Sequence, residues 1–294
     1  MISPPVDADG ALSTLLETAA KYRREGNLNL AIEMLEGACP RAGPDCPPRI
    51  GGELGASYYQ AHRFEKAEAS LKDAYQRTTD PSQRAIVAND LGNLAASRGH
   101  SEDAVLYYME ARAQGSVNRA VSVSAGLNLA RLTPTDKRLD RLIVLSQEVA
   151  GVLDARERAR YFLNLGSQAR PLGTLAVKVA YENLDRARAL ATEQADRLLL
   201  AEALDALSQL YEDQGRAAEG LQLTEQAISS LQSEQAQDLL INLKWRRGRL
   251  LRRQGRDDEA LRAYQSAVEH IENIRQDIPV EYVDGRSSFR ETLE

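Results

Sequence analysis

The chain has 294 residues, of which 27% are charged and only 5% are aromatic. An antiparallel β-sandwich or barrel of this length usually carries more aromatic and β-branched residues, so the composition favours a nearly all-helical protein. The net charge of −6 argues against nucleic acid as a partner, because nucleic-acid binding depends on a surplus of lysine and arginine.

The N-terminal residues 1–11 are predicted to form a flexible tail. They carry neither a basic segment nor an apolar core, so they do not resemble a secretory signal. No apolar run reaches the roughly 18 residues of a membrane-spanning helix, and no contact with a membrane is expected. A cytoplasmic location is therefore the default expectation.

A pair of small or apolar residues, seven positions apart, recurs along the chain every 36 to 40 residues. The pairs are Ala31/Ala38, Ala67/Ala74, Ala104/Ala111, Leu142/Val149, Ala180/Ala187, Gly220/Ala227 and Ala260/Ala267. This spacing places both members on one helical face, where small side chains let a neighbouring helix approach closely. The pattern predicts seven similar helices, with Ala67 and Ala104 buried between helices.

A second helix is predicted upstream of each pair, and a turn joins the two. The upstream helices are marked by Leu54-Gly55, Leu91-Gly92, Leu129-Ala130, Leu165-Gly166, Leu207-Ser208 and Arg247-Gly248. The turns are marked by Gly26, Gly99, Gly215 and Gly255, with His62 and Lys137 at the equivalent places. Glycine permits the positive φ that ends a helix. The fifth repeat carries a two-residue insertion near Pro171 to Thr174.

Each repeat is thus a helix–turn–helix that buries its apolar face only by stacking on its neighbours. This pattern resembles the tetratricopeptide (TPR) family over Leu12 to Arg275, with a period longer than the usual 34 residues. The resemblance implies an all-α, right-handed superhelical solenoid of about seven repeats of 36–40 residues.

The C-terminal segment, residues 276–294, departs from the repeat. Together with the end of the last helix it resembles the junction at which a bacterial TPR array leads into a CHAT domain, a caspase-like cysteine protease fold. The resemblance is carried by Ile274-Arg275, Arg286, Ser287-Ser288-Phe289 and Glu291. It implies a protease domain downstream of Glu294, absent from this chain. A capping helix followed by a tail is the alternative.

The cysteines and histidines offer little evidence for catalysis or for a metal site. Cys39 and Cys46 lie in a proline-rich connector, where two free thiols are the favoured expectation and a loop disulfide is the alternative. His62 and His100 fall in turns, and His270 lies on a helix. The motifs HExxH, GxxxxGK[ST], GxGxxG and GxSxG are absent from the sequence. We therefore expect no catalytic site, no cofactor and no metal.

In TPR proteins the first helix of each repeat lines a concave groove. These helices here carry Asn89, Asn93, Asn128 and Asn164, of which the first, third and fourth recur at intervals of 39 and 36 residues. An amide offers both a donor and an acceptor, so a row of amides can bind a peptide backbone of any sequence. Nearby arginines that could meet acidic groups are Arg131, Arg160 and Arg170. The alternative is that the amides bond neighbouring helices or water.

The first helix of the seventh repeat, KWRRGRLLRRQGR, is densely basic. A docking face is predicted at Trp245, Arg246, Arg249, Arg252 and Arg253. Helical spacing places three of these arginines together, which suits carboxylates, phosphates or a C-terminal domain. The alternative is a solvated face whose arginines pair with Asp257, Asp258 and Glu259.

The sequence therefore predicts a non-catalytic scaffold that binds a protein or peptide in its groove. The CHAT resemblance implies that it is the ligand-sensing region of a cysteine protease, with the protease domain as a partner in cis. A stand-alone adaptor that assembles a multiprotein complex is one alternative. A peptide-signal receptor, with an effector module at one terminus, is the other.

Overall fold

The computed structural model describes residues 8–39, 46–231, 236–277, 282–283 and 286–287. The chain divides into two compact units, unit 1 from Met1 to Val152 and unit 2 from Leu153 to Glu294. Consecutive helices pair as hairpins, and within each unit the second helix of a hairpin also packs against the first helix of the next. The hairpins are numbered here from the N-terminus.

Unit 1 contains hairpins 1 to 4 in its described residues. Their helices are α1 (Ala8–Arg24), α2 (Leu28–Ala38), α3 (Pro48–Gln60), α4 (Phe64–Arg77), α5 (Pro81–Ser97), α6 (Ser101–Ala113), α7 (Arg119–Leu132) and α8 (Thr135–Val149). The α1 helix begins four residues before the predicted start of the array at Leu12. The residues directly before Leu12 thus already belong to the first hairpin.

Unit 2 contains hairpins 5 to 7. Their helices are α9 (Ala155–Ala169), α10 (Val177–Glu193), α11 (Arg197–Asp213), α12 (Ala217–Ser230), α13 (Gln237–Arg253) and α14 (Asp257–Asp277). Two short 3₁₀ turns, Arg170–Leu172 and Thr174–Ala176, occupy the predicted insertion between α9 and α10. After α14, the strands β1 (Tyr282–Val283) and β2 (Arg286–Ser287) pair antiparallel.

The predicted fold class is confirmed as an all-α helical-repeat fold, and the described residues form seven hairpins. The small-residue pairs lie on the second helix of each hairpin, and Ala67 and Ala104 are fully buried as predicted. Ala38, at the end of α2, is an exposed exception. Across the described ranges, every helix is too short or too polar to traverse a lipid bilayer.

The small residues of the first helices make room for large residues of the second helices. A Cβ atom added to Gly55 would lie 2.6 Å from Leu71 Cγ, and one added to Gly92 would lie 2.5 Å from Tyr108 Cε1. Real Cβ atoms do not approach other heavy atoms this closely, so the two helices of these hairpins can pack as they do only with glycine there.

The predicted turn residues are confirmed with one exception. Gly26, Gly99, Gly215 and Gly255 have φ between +72° and +82°, and His62 has φ of 56°. The prediction for Lys137 is wrong, because this residue lies inside α8. Hairpin 4 instead turns through Thr133 and Pro134, both with φ below zero, so its connection needs no left-handed residue.

The two cysteines form a disulfide, so the favoured expectation of two free thiols is wrong. Cys39 follows the last residue of α2, and Cys46 lies two residues before α3. Their Cα atoms are 5.3 Å apart, within the usual range for a disulfide. Both side chains are buried, which places the bridge inside the core between the first two hairpins.

The C-terminal residues that resemble a CHAT junction are only partly described. Ile274 and Arg275 lie in α14, and Arg286 and Ser287 form β2. Ser288, Phe289 and Glu291 lie outside the described residues.

Candidate functional site

The first helices of unit 1 carry a cluster of hydrogen-bonded amides. Asn128 on α7 donates from Nδ2 to Oδ1 of Asn89, at 3.2 Å, and to Oδ1 of Asn93, at 3.0 Å, both on α5. Its own Oδ1 accepts from Arg131. Asn128 is only 7% exposed, and both of its amide hydrogens are used. It therefore braces α5 against α7, the role that the alternative interpretation gave to the amides.

The two amides on α5 are more accessible than Asn128. Both Asn89 and Asn93 are partly exposed. Oδ1 of Asn93 also accepts from the Tyr108 hydroxyl at 2.9 Å, which fixes the orientation of this amide. The Nδ2 group of Asn89 has no hydrogen-bond acceptor within the part of the chain that the structure describes. This group is a donor that a ligand could use.

A carboxyl group without an ion pair lies beside these amides. Arg23 on α1 and Glu53 on α3 pair with each other, with Nε 2.7 Å from Oε1. Asp90 on α5 has no ion-pair partner among the described side chains. The pKa of Asp90 is raised to about 7, chiefly by burial; the charge of Arg23 opposes the rise, the charge of Glu53 adds to it, and a hydrogen bond from Asn93 opposes it. Near neutral pH, Asp90 is thus poised to ionise beside an arriving cation.

We call these side chains of unit 1 the polar row. It comprises Arg23, Glu53, Asn89, Asp90, Asn93, Asn128 and Arg131. Sequence reasoning identified its amides and Arg131 but missed the three ionisable groups on α1, α3 and α5.

A signal for two of the missed residues was present in the repeat. In four of the repeats, the first helix contains a leucine followed by glycine or alanine, and a polar residue directly precedes that leucine. These polar residues are Glu53, Asp90, Asn128 and Asn164. Asp90, rather than Asn89, therefore occupies the repeat position of Asn128. A search for any polar residue at this position, instead of for asparagine alone, would have found Glu53 and Asp90.

The remaining predicted groove residues belong to unit 2. Arg160 and Asn164 lie one turn apart on α9, and both are exposed. Burial raises the pKa of Glu202 on α11, and the charge of Arg160 opposes that rise. Arg170 pairs with Asp213, with Nη1 3.3 Å from Oδ2. Arg160 and Asn164 thus share an accessible face, whereas Arg170 already has a carboxylate partner.

The basic helix α13 directs three arginines at carboxylates on α11. Arg246 is buried and lies 2.7 Å from Asp205 and 3.2 Å from Glu212. Arg249 and Arg253 also contact Glu212, at 2.9 Å and 3.4 Å. Burial alone would raise the pKa of Glu212, but the hydrogen bond from Arg249 and the three positive charges outweigh it and lower the pKa.

The predicted docking face is therefore divided between two sides of α13. Arg246, Arg249 and Arg253 share a face, as the spacing predicts, but that face packs on α11. Trp245 and Arg252 are seven residues apart and therefore share another side of the helix. Both are exposed. Trp245 packs on Tyr264 of α14 with ring centroids 4.9 Å apart.

The alternative pairing predicted for the basic helix is wrong for these three arginines. Their carboxylate partners lie on the preceding first helix instead of in the first turn of α14. Only the local pair Arg256–Glu259, at 2.7 Å, uses an acidic residue of that turn among the described contacts.

No protein-family profile matches the sequence, and no curated protein matches it. Solved structures do share the architecture. RapI in its apo form matches with a TM-score of 0.59 and 13% identity, covering 90% of this chain and 98% of RapI. NprR in complex with its cognate peptide NprX matches with a TM-score of 0.53 and 12% identity, covering 90% and 78%.

A tetratricopeptide repeat protein from Parabacteroides merdae matches with a TM-score of 0.50 and 15% identity, covering 88% of this chain and 92% of that protein. This chain has a TPR fold. At these identities the likeness establishes the fold alone, so function has to be argued from the side chains.

Proposed function

We propose that the polar row of unit 1 binds a segment of another protein or a peptide, and that the chain is a non-catalytic recognition scaffold. The observation that carries the proposal is the pair of neighbours Asn89 and Asp90 on α5. One offers an unused amide donor, and the other offers a carboxyl group without an ion pair. A hydrogen bond from Asn128 holds the Asn89 side chain, and one from Asn93 holds the Asp90 carboxyl group. Because both groups are already ordered, less conformational entropy is lost when a ligand binds.

The chemistry of the row fits an extended polypeptide. The amides of Asn89 and Asn93 can pair with backbone groups whatever the ligand sequence. Asp90 would pair with a cationic group, such as a lysine, an arginine or an N-terminal amine. Arg131 is exposed beyond the amide cluster and would meet an acidic group. NprR, which shares the fold, was solved with a bound peptide, and this supports a peptide as the ligand.

Selection from a random-peptide phage library tests this proposal. The immobilised wild-type chain should enrich binding phage, and the Asn89→Ala/Asn93→Ala variant should retain the selected clones at least about tenfold less well. Asn242→Ala, an exposed amide on α13, is the matched control and should retain them fully. Equal retention of every clone by all three proteins would remove the polar row from the proposal.

We further propose that recognition serves to regulate an attached CHAT-type cysteine protease. The supporting observation is the C-terminal segment, where β1 and β2 replace the helical repeat next to the junction-like residues. Ligand binding would then bias the protease between two states, which requires different affinity for each state. An adaptor that assembles a complex, or a peptide-signal receptor, would use the same polar row with another effector or none.

The downstream coding sequence tests the regulatory proposal. Codons beyond Glu294 that encode a caspase-like domain with its histidine and cysteine would support a protease sensor. A stop codon directly after Glu294 would favour the adaptor, and a DNA-binding or other effector domain would favour the receptor.

A further inference from the structure

The last hairpin exposes an apolar surface that we call the end face. It is formed by Trp245 and Arg252 on α13 and by Leu261, Tyr264, Val268 and Ile271 on α14. The exposed fractions of the α14 residues Leu261, Val268 and Ile271 are 58%, 45% and 38%. Their spacing of seven and three residues places them along one side of the helix. Large apolar side chains in such a row are unusual on a surface that faces only water.

The equivalent residues of hairpin 6 are covered by the next helix. Hairpins 6 and 7 are offset by 40 residues, so Leu221, Ile228 and Leu231 correspond to Leu261, Val268 and Ile271. Leu221 packs with Leu250 and Leu251 of α13, and Ile228 and Leu231 pack in a cluster with Leu239 and Leu243 of α13. The end face is thus the surface of hairpin 7 that corresponds to the surface of hairpin 6 covered by α13. Among the described residues, no helix covers it.

The charges on this stacking surface change sign between the two hairpins. On α11 the surface carries Asp205 and Glu212, which receive the arginines of α13, and Gln209, which donates a hydrogen bond to Asp205. The residues 40 positions later are Trp245, Arg249 and Arg252. Two acidic residues are therefore replaced by an aromatic ring and an arginine, and the neutral amide by a second arginine.

We propose that the end face binds an amphipathic helix of a partner protein, and that this helix carries an acidic edge. The helix would lie where a further first helix would stack, with its apolar residues on Leu261, Val268 and Ile271. Its carboxylates would meet Arg252, the exposed arginine that corresponds to Glu212, reversing the arrangement by which α13 brings arginines to α11. The surface lies in unit 2 and shares no residue with the polar row, so it is independent of the proposed peptide site.

Trp245 gives this surface both an anchor and a reporter. The ring is 46% exposed and already packed on Tyr264, so a docking helix would bury it with little loss of side-chain freedom. It is also the single tryptophan of the chain. Its fluorescence therefore reports directly on the end face.

The test uses a stapled helical peptide based on α13, the helix that covers hairpin 6. The peptide has the sequence of residues 237–253 with four changes: Trp245→Phe to remove its fluorescence, Arg246→Leu to meet the exposed tryptophan, and Arg249→Glu and Arg253→Glu for the acidic edge. A matched peptide keeps both of these last two arginines. Addition of the acidic peptide to the full chain should shift the Trp245 emission saturably to shorter wavelength.

Two variants of the protein define the surface. Arg252→Glu should weaken the acidic peptide at least about tenfold, because like charges then face each other, and Leu261→Asp should weaken it similarly. Lys178→Glu, an exposed charge reversal on α10, should leave binding unchanged. The proposal is overturned by the absence of a saturable shift, by equal binding of the arginine peptide, or by self-association of the chain that Leu261→Asp abolishes.

Discussion

Arg246 on α13 and Asp205 on α11 form a buried ion pair in which the guanidinium contacts both carboxylate oxygens. Nε lies 2.7 Å from Oδ1, and Nη2 lies 3.4 Å from Oδ2. Gln209 donates to Oδ2 from the same helix at 2.7 Å. This polar contact lies in the stacking interface between hairpins 6 and 7, which also contains clusters of buried leucines.

Removal of the Arg246 side chain should destabilise unit 2. In Arg246→Leu, Asp205 keeps its burial but loses its counter-charge, and Glu212 loses one of three arginines. The expected loss is about 3–5 kcal/mol of unfolding free energy, measured by denaturant titration. Arg247→Leu is the control on the same helix, because its pair with Glu225 is half exposed and should cost no more than about 1 kcal/mol. Equal losses in the two variants would contradict the assigned burial.

At the second position of the seven-residue pair, a larger residue should leave the stability unchanged in α2 and lower it in α4. Ala38 and Ala74 are the second members of their seven-residue pairs, yet Ala38 is exposed and Ala74 is fully buried. Ala74→Leu should overpack the helix interface and lower stability by about 1–3 kcal/mol. Ala38→Leu should change the melting temperature little. A neutral Ala74→Leu variant would show that the helix register is misassigned.

The Cys39–Cys46 disulfide should stabilise unit 1 only under oxidising conditions. It closes a short loop between α2 and α3, for which the chain-entropy relation gives roughly 2–3 kcal/mol. The Cys39→Ala/Cys46→Ala variant should lose about this much, measured by urea unfolding. Dithiothreitol should lower the stability of the wild type by a similar amount and leave the variant unaffected. A wild type indifferent to the reductant would argue against the bridge.

Asp90 should make the stability of unit 1 depend on pH. Its pKa in the folded state is about 7, against about 4 in an unfolded chain. The folded state therefore holds the proton between these values while the unfolded state releases it, and stability falls as pH rises through this window.

The Asp90→Asn variant should lack this decline. At pH 8 we expect it to be about 1–3 kcal/mol more stable than the wild type, and at pH 4 nearly equal to it. Thermal unfolding at several pH values measures the difference. Asp103→Asn, on the exposed side of α6, controls for the change in net charge. A constant offset between wild type and Asp90→Asn at every pH would contradict the assignment.

Most of the fold can be predicted because its determinants are local and periodic. Ala67 and Ala74 are buried, as their seven-residue spacing on one face of a stacked helix predicts. The prediction for Lys137 fails because hairpin 4 turns through Thr133 and Pro134, so counting from the small-residue pair gives the wrong turn. The number of residues between the turn and the small-residue pair predicts the turn only in hairpins whose connecting loops have the same length.

The candidate site is less predictable because its contacts join residues that are distant in sequence. The amide spacing predicts that Asn128 faces a ligand, but its burial depends on how closely α5 and α7 approach, which that spacing does not encode. For Arg246 the sequence offers only neighbours in the chain as alternative partners. Its actual partners lie 34 and 41 residues away, because the stacking of α13 on α11 selects them.

Close contacts between a glycine and a large side chain divide four of the seven hairpins into two types. Leu71 rests against Gly55 and Leu184 against Gly166, whereas Tyr108 and Tyr264 rest in the same way against Gly92 and Gly248. A helix shaped around a leucine leaves too little room for a tyrosine ring. A chimera that pairs α4 with α9, or α6 with α13, should therefore keep the close contact between the two helices. A chimera that pairs a tyrosine helix with a glycine that normally contacts leucine should hold the two helices further apart.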